Sequence, residues 1–317
     1  MRIHFLLAGL MITGTVAAAD LPGPVVTVEW LAQNLDKVQV LQVHAPDLYT
    51  AKPIYKKDEK SGEMKLVDVG GHIPGALVVD PGKTRVERQI NNLTVKYLVP
   101  TAAQFTELMQ KVGLKANRPI VIVSPATSEG EVNDALRLYW QFKYFGEMQV
   151  AVLDGGLAAW VQAKQPVEST PPVSKTGTWQ AKGENASILA TSEETAAGKA
   201  QLIDARPLSM AYGYWKRDYV YDYGHIAGAK ILPPELHVVK KGIAYHLLPV
   251  SAYQAVFKAQ GIDLTAPTIT YCNSGHLSAG PWFILHELMG NQQVKLYDGS
   301  LHQWTLEKRP LVSLIPH

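Results

Sequence analysis

Cys272 is the only thiol in 317 residues. It follows Thr268-Ile269-Thr270-Tyr271, a stretch that reads as a buried strand, and opens the polar loop Asn273-Ser274-Gly275-His276-Leu277-Ser278, after which residues 281–289 read as a helix. A residue at the carboxyl end of a parallel strand faces the crevice where α/β folds bind ligands. A loop that enters a helix presents backbone N–H groups as an anion nest, and Gly275 permits the tight turn. Such donors favour thiolate over thiol, so this spacing predicts an exposed sulfur nucleophile rather than an inert buried cysteine. A lone cysteine also excludes an internal disulfide framework, a Cys-x-x-Cys redox pair and a zinc site built on several thiolates.

The elements that must position this loop occur twice. Gly71-His72-Ile73-Pro74-Gly75-Ala76 returns as Gly224-His225-Ile226-Ala227-Gly228-Ala229, and Leu153-Asp154-Gly155-Gly156 with Trp160 returns as Tyr297-Asp298-Gly299-Ser300 with Trp304. The period, about 150 residues, is too long for a solenoid and marks a tandem repeat of one domain. Short apolar runs at 38–43, 120–123 and 150–153, with counterparts at 201–204, 268–271 and 294–297, alternate with helix-period segments. This is the pattern of βα units around a mainly parallel sheet, so each half is predicted to be an independent α/β domain. Thr101 caps a helix that buries Phe105, Leu108, Met109 and Val112, and Ser251 is predicted to cap one that buries Tyr253, Val256 and Phe257. Gly113 and Gly261 stand where helix ends want glycine.

Arg2, the apolar residues 5–12 and Ala17-Ala18-Ala19 before Asp20 match a secretory leader cleaved after Ala19. The chain then divides into a leader, 1–19; a first domain, 20–168; a Pro- and Gly-bearing linker, 169–183; and a second domain, 184–317. The expected product is exported, periplasmic if bacterial, with no stable membrane insertion after cleavage. Hydrophobic residues make up 47% of the chain and charged ones 18%, enough apolar material for sizeable cores. The formal charge of +2 leaves no field to hold a nucleic acid.

Together these residues resemble a tandem-domain rhodanese, a sulfurtransferase of the thiosulfate or 3-mercaptopyruvate type, over nearly all of the chain beyond the leader. The resemblance rests on the duplicated Gly-His-Ile-x-Gly-Ala and Asp-Gly-Gly/Ser elements, on Asp204-Ala205-Arg206 and on the Cys-x-x-Gly loop from Cys272 to Ser278. It implies a catalytic Cys272 that takes sulfane sulfur from a small-molecule donor, becomes a persulfide and passes the sulfur to cyanide, a small thiol or a protein thiol. Such a cycle needs no metal or organic cofactor. By the same resemblance Asn273, Ser274, Gly275, His276, Leu277 and Ser278 bind substrate with Arg206, which would hold the anionic donor; a structural ion pair with Asp204 is the other reading of Arg206. His72, His225, Asp154 and Asp298 read as structural, the two aspartates as turn formers.

The first half departs from the active pattern. Ser124 stands where Cys272 stands, followed by Pro125, and His44 takes the place of Arg206. Family members of the mercaptopyruvate type carry a further arginine before an aromatic-x-Gly element, and Met210-Ala211-Tyr212-Gly213 has none. Residues 212–223 hold six aromatics, which read either as a cleft rim or docking surface or as a loop pinned by its own rings. A cysteine phosphatase would want arginine six residues after the cysteine, where Ser278 stands. A non-catalytic rhodanese-like module that binds a protein is the alternative from a different class.

Overall fold

The computed structural model describes residues 20–170 and 175–317; the expected leader, residues 1–19, lies outside them. In the first half the order is β1 (Val25–Val26), α1 (Val28–Asn34), β2 (Gln39–Val43), β3 (Ile54–Lys57), β4 (Met64–Asp68), β5 (Leu77–Val79), β6 (Val86–Ile90), β7 (Leu93–Leu98), α2 (Ala102–Val112), β8 (Ile120–Val123), α3 (Glu129–Tyr144), β9 (Val150–Leu153) and α4 (Gly156–Gln162). The second half follows with β10 (Leu189–Ala190), α5 (Ser192–Ala196), β11 (Gln201–Asp204), α6 (Leu208–Ala211), β12 (Lys230–Ile231), β13 (Val238–Lys241), β14 (Ala244–Leu247), α7 (Val250–Ala259), β15 (Thr268–Tyr271), α8 (Ala279–Phe283), β16 (Val294–Tyr297) and α9 (Ser300–Leu306).

Two five-stranded sheets with the same order result, β1-β9-β8-β2-β5 and β10-β16-β15-β11-β12. Every pairing in both is parallel. Central strands buried on both faces explain the unbroken apolar runs, as at Ile120–Val123. Each half adds an antiparallel hairpin at the same place in the repeat, β6–β7 in the first and β13–β14 in the second, and the first half carries one more, β3–β4. Among the described residues no helix is long and apolar enough to cross a membrane.

Local signals mostly hold. Thr101 makes a full capping box with Gln104, and Gly113 closes α2 at φ 101°. Ser251 is not a cap: α7 starts at Val250 with Pro249 at the N-cap, because proline already fixes the entry backbone. The helix expected from residue 281 begins at Ala279, which leaves Pro281 in the first turn where no N–H is missed. It then widens into a π turn at Ile284–Leu288.

The halves are not independent. One core takes residues from both, with Tyr139 of α3 edge-on to Phe283 of α8 at 4.9 Å and its hydroxyl donating to Glu287 at 2.7 Å. Two apolar helix faces that each need cover provide it for each other. Part of the expected linker is also built in: the Gly177, Thr178 and Trp179 amides donate to Gln110 and Leu114, and the Trp179 ring is buried against Phe105 and Phe142.

Candidate active site

β15 delivers Cys272 to the carboxyl edge of the second sheet, and Gly275 turns the loop at φ 73°. A Cβ at Gly275 would stand 2.6 Å from the Asp298 carbonyl oxygen, so only glycine fits this close approach. The Cys272 and Gly275 amides both donate to Ser300 Oγ at 3.1 Å, and that hydroxyl donates to the Tyr297 carbonyl at 2.8 Å. The Leu301 and His302 amides donate to the carbonyls of Cys272 and Asn273. Ser300 itself sits at φ 47°, a left-handed backbone that fixes where its hydroxyl points. Among the described residues the N–H groups of Asn273, Ser274, His276, Leu277 and Ser278 have no protein acceptor. The loop is thus braced from behind and carries a run of uncommitted donors, the arrangement that stabilises a sulfur anion.

One expectation is corrected, and burial bears on one open reading. Cys272 is not exposed: it is 1% accessible, and Asn273, Ser274 and Ser278 are buried with it. The sequence placed it at a strand end but carried no sign of how closely the first half closes over it. Arg206, read either as holding the donor or as pairing with Asp204, is 1% accessible and engaged with Asp204. Its Nε donates to both oxygens of Asp204, at 2.9 and 3.1 Å, and its Nη2 to Asp204 at 2.5 Å and to the Gly224 carbonyl at 2.7 Å. Burial pulls the Arg206 pKa down, yet Asp204 outweighs it and leaves it raised. The guanidinium ties the strand end to the Gly-His-Ile turn, a structural task.

Other loop residues are taken up by contacts. His276 Nε2 lies 2.9 Å from Asp134 of α3, in the first half. Asn273 Nδ2 reaches Met210 Sδ at 3.2 Å, while its Oδ1 and the Ser278 hydroxyl are buried without a partner. Leu277 is half-buried at the loop's outer turn. His72 and His225 are structural: His72 pairs its backbone with Glu168, and His225 Nδ1 meets the Ala211 carbonyl at 2.7 Å.

The residue that sequence reasoning missed is Arg137, on α3 of the first half. Its Nη1 donates to the Gly275 carbonyl at 2.9 Å and its Nη2 to Asp298 at 2.6 Å, with the side chain 2% accessible. Burial pushes its pKa down, Asp298 pulls it back up and the Cys272 charge adds to that pull. A signal existed, since an arginine among Leu136, Leu138, Tyr139 and Trp140 is out of place on a core helix unless it meets an anion. Asp298, read as a turn former, is an interdomain acceptor: besides Arg137 it takes the Val99 amide, from the end of β7, at 2.7 Å. Asp154 does the same in the first half, accepting the Leu247 amide at 2.8 Å. The β6–β7 and β13–β14 hairpins therefore each cross to the opposite domain.

At the mouth of the crevice β7 places Tyr97 against Tyr219 of the aromatic segment, with ring centroids 4.9 Å apart, and His302 edges both rings. Burial raises the Tyr219 phenol's pKa, against the pull of the Ser274 side chain, and the Cys272 charge adds to the rise. So part of residues 212–223 is a rim of this crevice, while Tyr214 and Trp215 stay largely exposed.

A family model described as rhodanese-like domain matches this chain twice, over residues 27–163 and 190–307. The chain belongs to the rhodanese-like domain family. It is similar to the sulfur carrier protein TtuD of Thermus thermophilus, 27% identical over 89% of this chain and 94% of the relative. It is also similar to the thiosulfate sulfurtransferase of Gallus gallus, 26% identical over 91% and 95%. Among solved structures, EanB in a complex with ergothioneine superposes with a TM-score of 0.74 at 18% identity, over 93% of this chain and 71% of that one. YnjE does so with 0.70 at 21%, over 92% and 69%. These structures share the fold of this rhodanese-like chain.

Proposed function

We propose that this rhodanese-like protein is a sulfurtransferase that moves a sulfur atom from an anionic donor, thiosulfate or 3-mercaptopyruvate, through a persulfide on Cys272. Relatives named thiosulfate sulfurtransferase support the transferase class. The observation that carries the reading is the lone cysteine at a strand end, followed by a loop with five uncommitted N–H donors and braced by Ser300. With thiosulfate, the Cys272 thiolate attacks the outer sulfur, the S–S bond breaks and sulfite leaves with the electron pair. The acceptor, cyanide or a thiolate, then attacks the terminal sulfur of the persulfide and Cys272 leaves as thiolate, so no external oxidant or reductant is consumed. The loop donors serve both anions, which is why one cradle suffices for two half-reactions. No metal or organic cofactor enters this cycle. The leader pattern at residues 1–19 supports export, and with it a site of action outside the cytoplasm.

A cyanolysis assay with thiosulfate and with 3-mercaptopyruvate, on wild type and Cys272→Ala, tests the proposal. Thiocyanate production that vanishes in the variant is expected with at least one donor. Production from neither donor would favour the non-catalytic binding module instead.

A further inference from the structure

The proposed donors are anions, yet every cation at the floor of the crevice is already engaged. Arg206 is forked by Asp204, Arg137 by Asp298 and the Gly275 carbonyl, and His276 meets Asp134. Two guanidinia near the mouth have no such partner among the described residues: Arg217, exposed over the Trp215 ring, and Arg85, the more buried of the two. Arg85 is half-buried at the root of the β6–β7 hairpin, its Cζ 5.4 Å from the centre of the Tyr97 ring, and among the described residues it has no hydrogen-bond or carboxylate partner. A partly buried charge left unpaired is costly, and a ring face holds a cation without neutralising it. Its charge reaches the floor of the site, where it opposes that of Arg137.

The ring beneath it is held in an unusual way. Tyr97 has φ 66°, a left-handed backbone in which a bulky residue is strained, beside a register shift between Val86 and Arg88. Strain of this kind persists where the surroundings over-determine it, and it clusters at ligand clamps. Here it turns Tyr97 onto Tyr219, and through that ring toward Ser274 and Cys272. The equivalent hairpin, β13–β14, provides a control within the same chain. Each of these two hairpins follows a short helical turn, capped by Thr84 in the first half and His237 in the second. The next residue is Arg85 in one and the buried Val238 in the other. The hairpin fold therefore does not need a cation there.

We propose that Arg85, held over Tyr97, is the specificity-determining anchor for the anionic end of the sulfur donor, so that the non-catalytic half supplies the recognition the Cys272 loop lacks. This rests on the sulfurtransferase reading, but its test has an arm that does not. Thiosulfate binding is measured by calorimetry at low ionic strength on Cys272→Ala, where no sulfur can be transferred, with and without Arg85→Gln. Loss of a charge-assisted fork predicts roughly 10- to 100-fold weaker binding, with Arg85→Lys recovering part of it. In the enzyme with Cys272 intact, Arg85→Gln should raise KM for thiosulfate by the same factor. It should leave kcat within about threefold, and leave the KM for an uncharged dialkyl trisulfide unchanged. Equal thiosulfate binding with and without Arg85, no binding to Cys272→Ala at all, or an equal rise in KM for the uncharged donor would each overturn the assignment. Arg85-dependent binding without sulfur transfer from any donor would instead overturn the sulfurtransferase reading and leave the anion site standing.

Discussion

The loops at Cys272 and Ser124 occupy equivalent places, after β15 and β8, and they have been put to opposite uses. Behind Cys272, Ser300 accepts two loop amides. Behind Ser124 the corresponding residue is Gly156, at φ 53°, where an added Cβ would stand 2.2 Å from the Ser124 carbonyl oxygen. The first loop has closed down on its support, and no hydroxyl fits between them. Its Thr127 amide and hydroxyl are both taken by Glu131. The visiting hairpins differ as well. β13–β14 fills the first crevice, with the Tyr245 amide donating to the Ala126 carbonyl and with Tyr245 and Leu247 beside Ser124. β6–β7 instead rims the second crevice with Tyr97 and Arg85. One duplicated fold thus yields a plugged site and a lined one, and the difference lies in what each half lends the other.

The most drastic way to break this comparison is to move the thiol. Ser124→Cys in a Cys272→Ala background should give no cyanolysis above that of Cys272→Ala alone, because Pro125 offers no amide, Glu131 occupies the turn and the hairpin fills the crevice. Turnover near wild type would show the first loop to be a competent cradle.

The two interdomain aspartates should differ strongly in stability. Arg137→Met strands the buried Asp298 carboxylate and should cost about 3–5 kcal/mol in denaturant unfolding. His246 and Asp154, 2.9 Å apart, are 17% and 28% accessible, so Asp154→Asn should cost less than about 1 kcal/mol. Equal costs would mean that the two clamps are energetically alike despite their burial.

A smaller difference comes from His237, which caps the turn before β13. Burial pushes its pKa down to about 4 from 6.5. The unfolded chain therefore takes up this proton first as pH falls, and the stability it contributes is complete above about 6.5 and lost on the way down to about 4, roughly 3 kcal/mol in all. His237→Gln should flatten the fall in unfolding free energy between pH 7.5 and 4.5; an unchanged slope would assign the loss to other groups.

How much of this could be read from the chain follows from the range of each interaction. The strand runs, the Thr101 box, the Gly113 end and the place of Cys272 after its strand are local, and alternation and capping residues declare them. Arg137 could not be assigned, because its partners Gly275 and Asp298 lie 138 and 161 residues away. Periodicity does not report contacts between domains. Arg206 was ambiguous for a different reason: Asp204, two residues before it, suits either an ion pair or a neighbouring anion site, and only burial decides. Ser300 was legible in principle, as the one position where the repeated Asp-Gly-Gly becomes Asp-Gly-Ser beside the half that keeps its cysteine.

The central claim is that Cys272 carries transferable sulfur. Intact-mass and peptide-level mass spectrometry after incubation with thiosulfate or 3-mercaptopyruvate should show an addition of about 32 Da, one sulfur atom, at Cys272, removed by cyanide or dithiothreitol and absent from Cys272→Ala. A Cys272 that stays unmodified with both donors, in protein shown to be folded, would contradict the account.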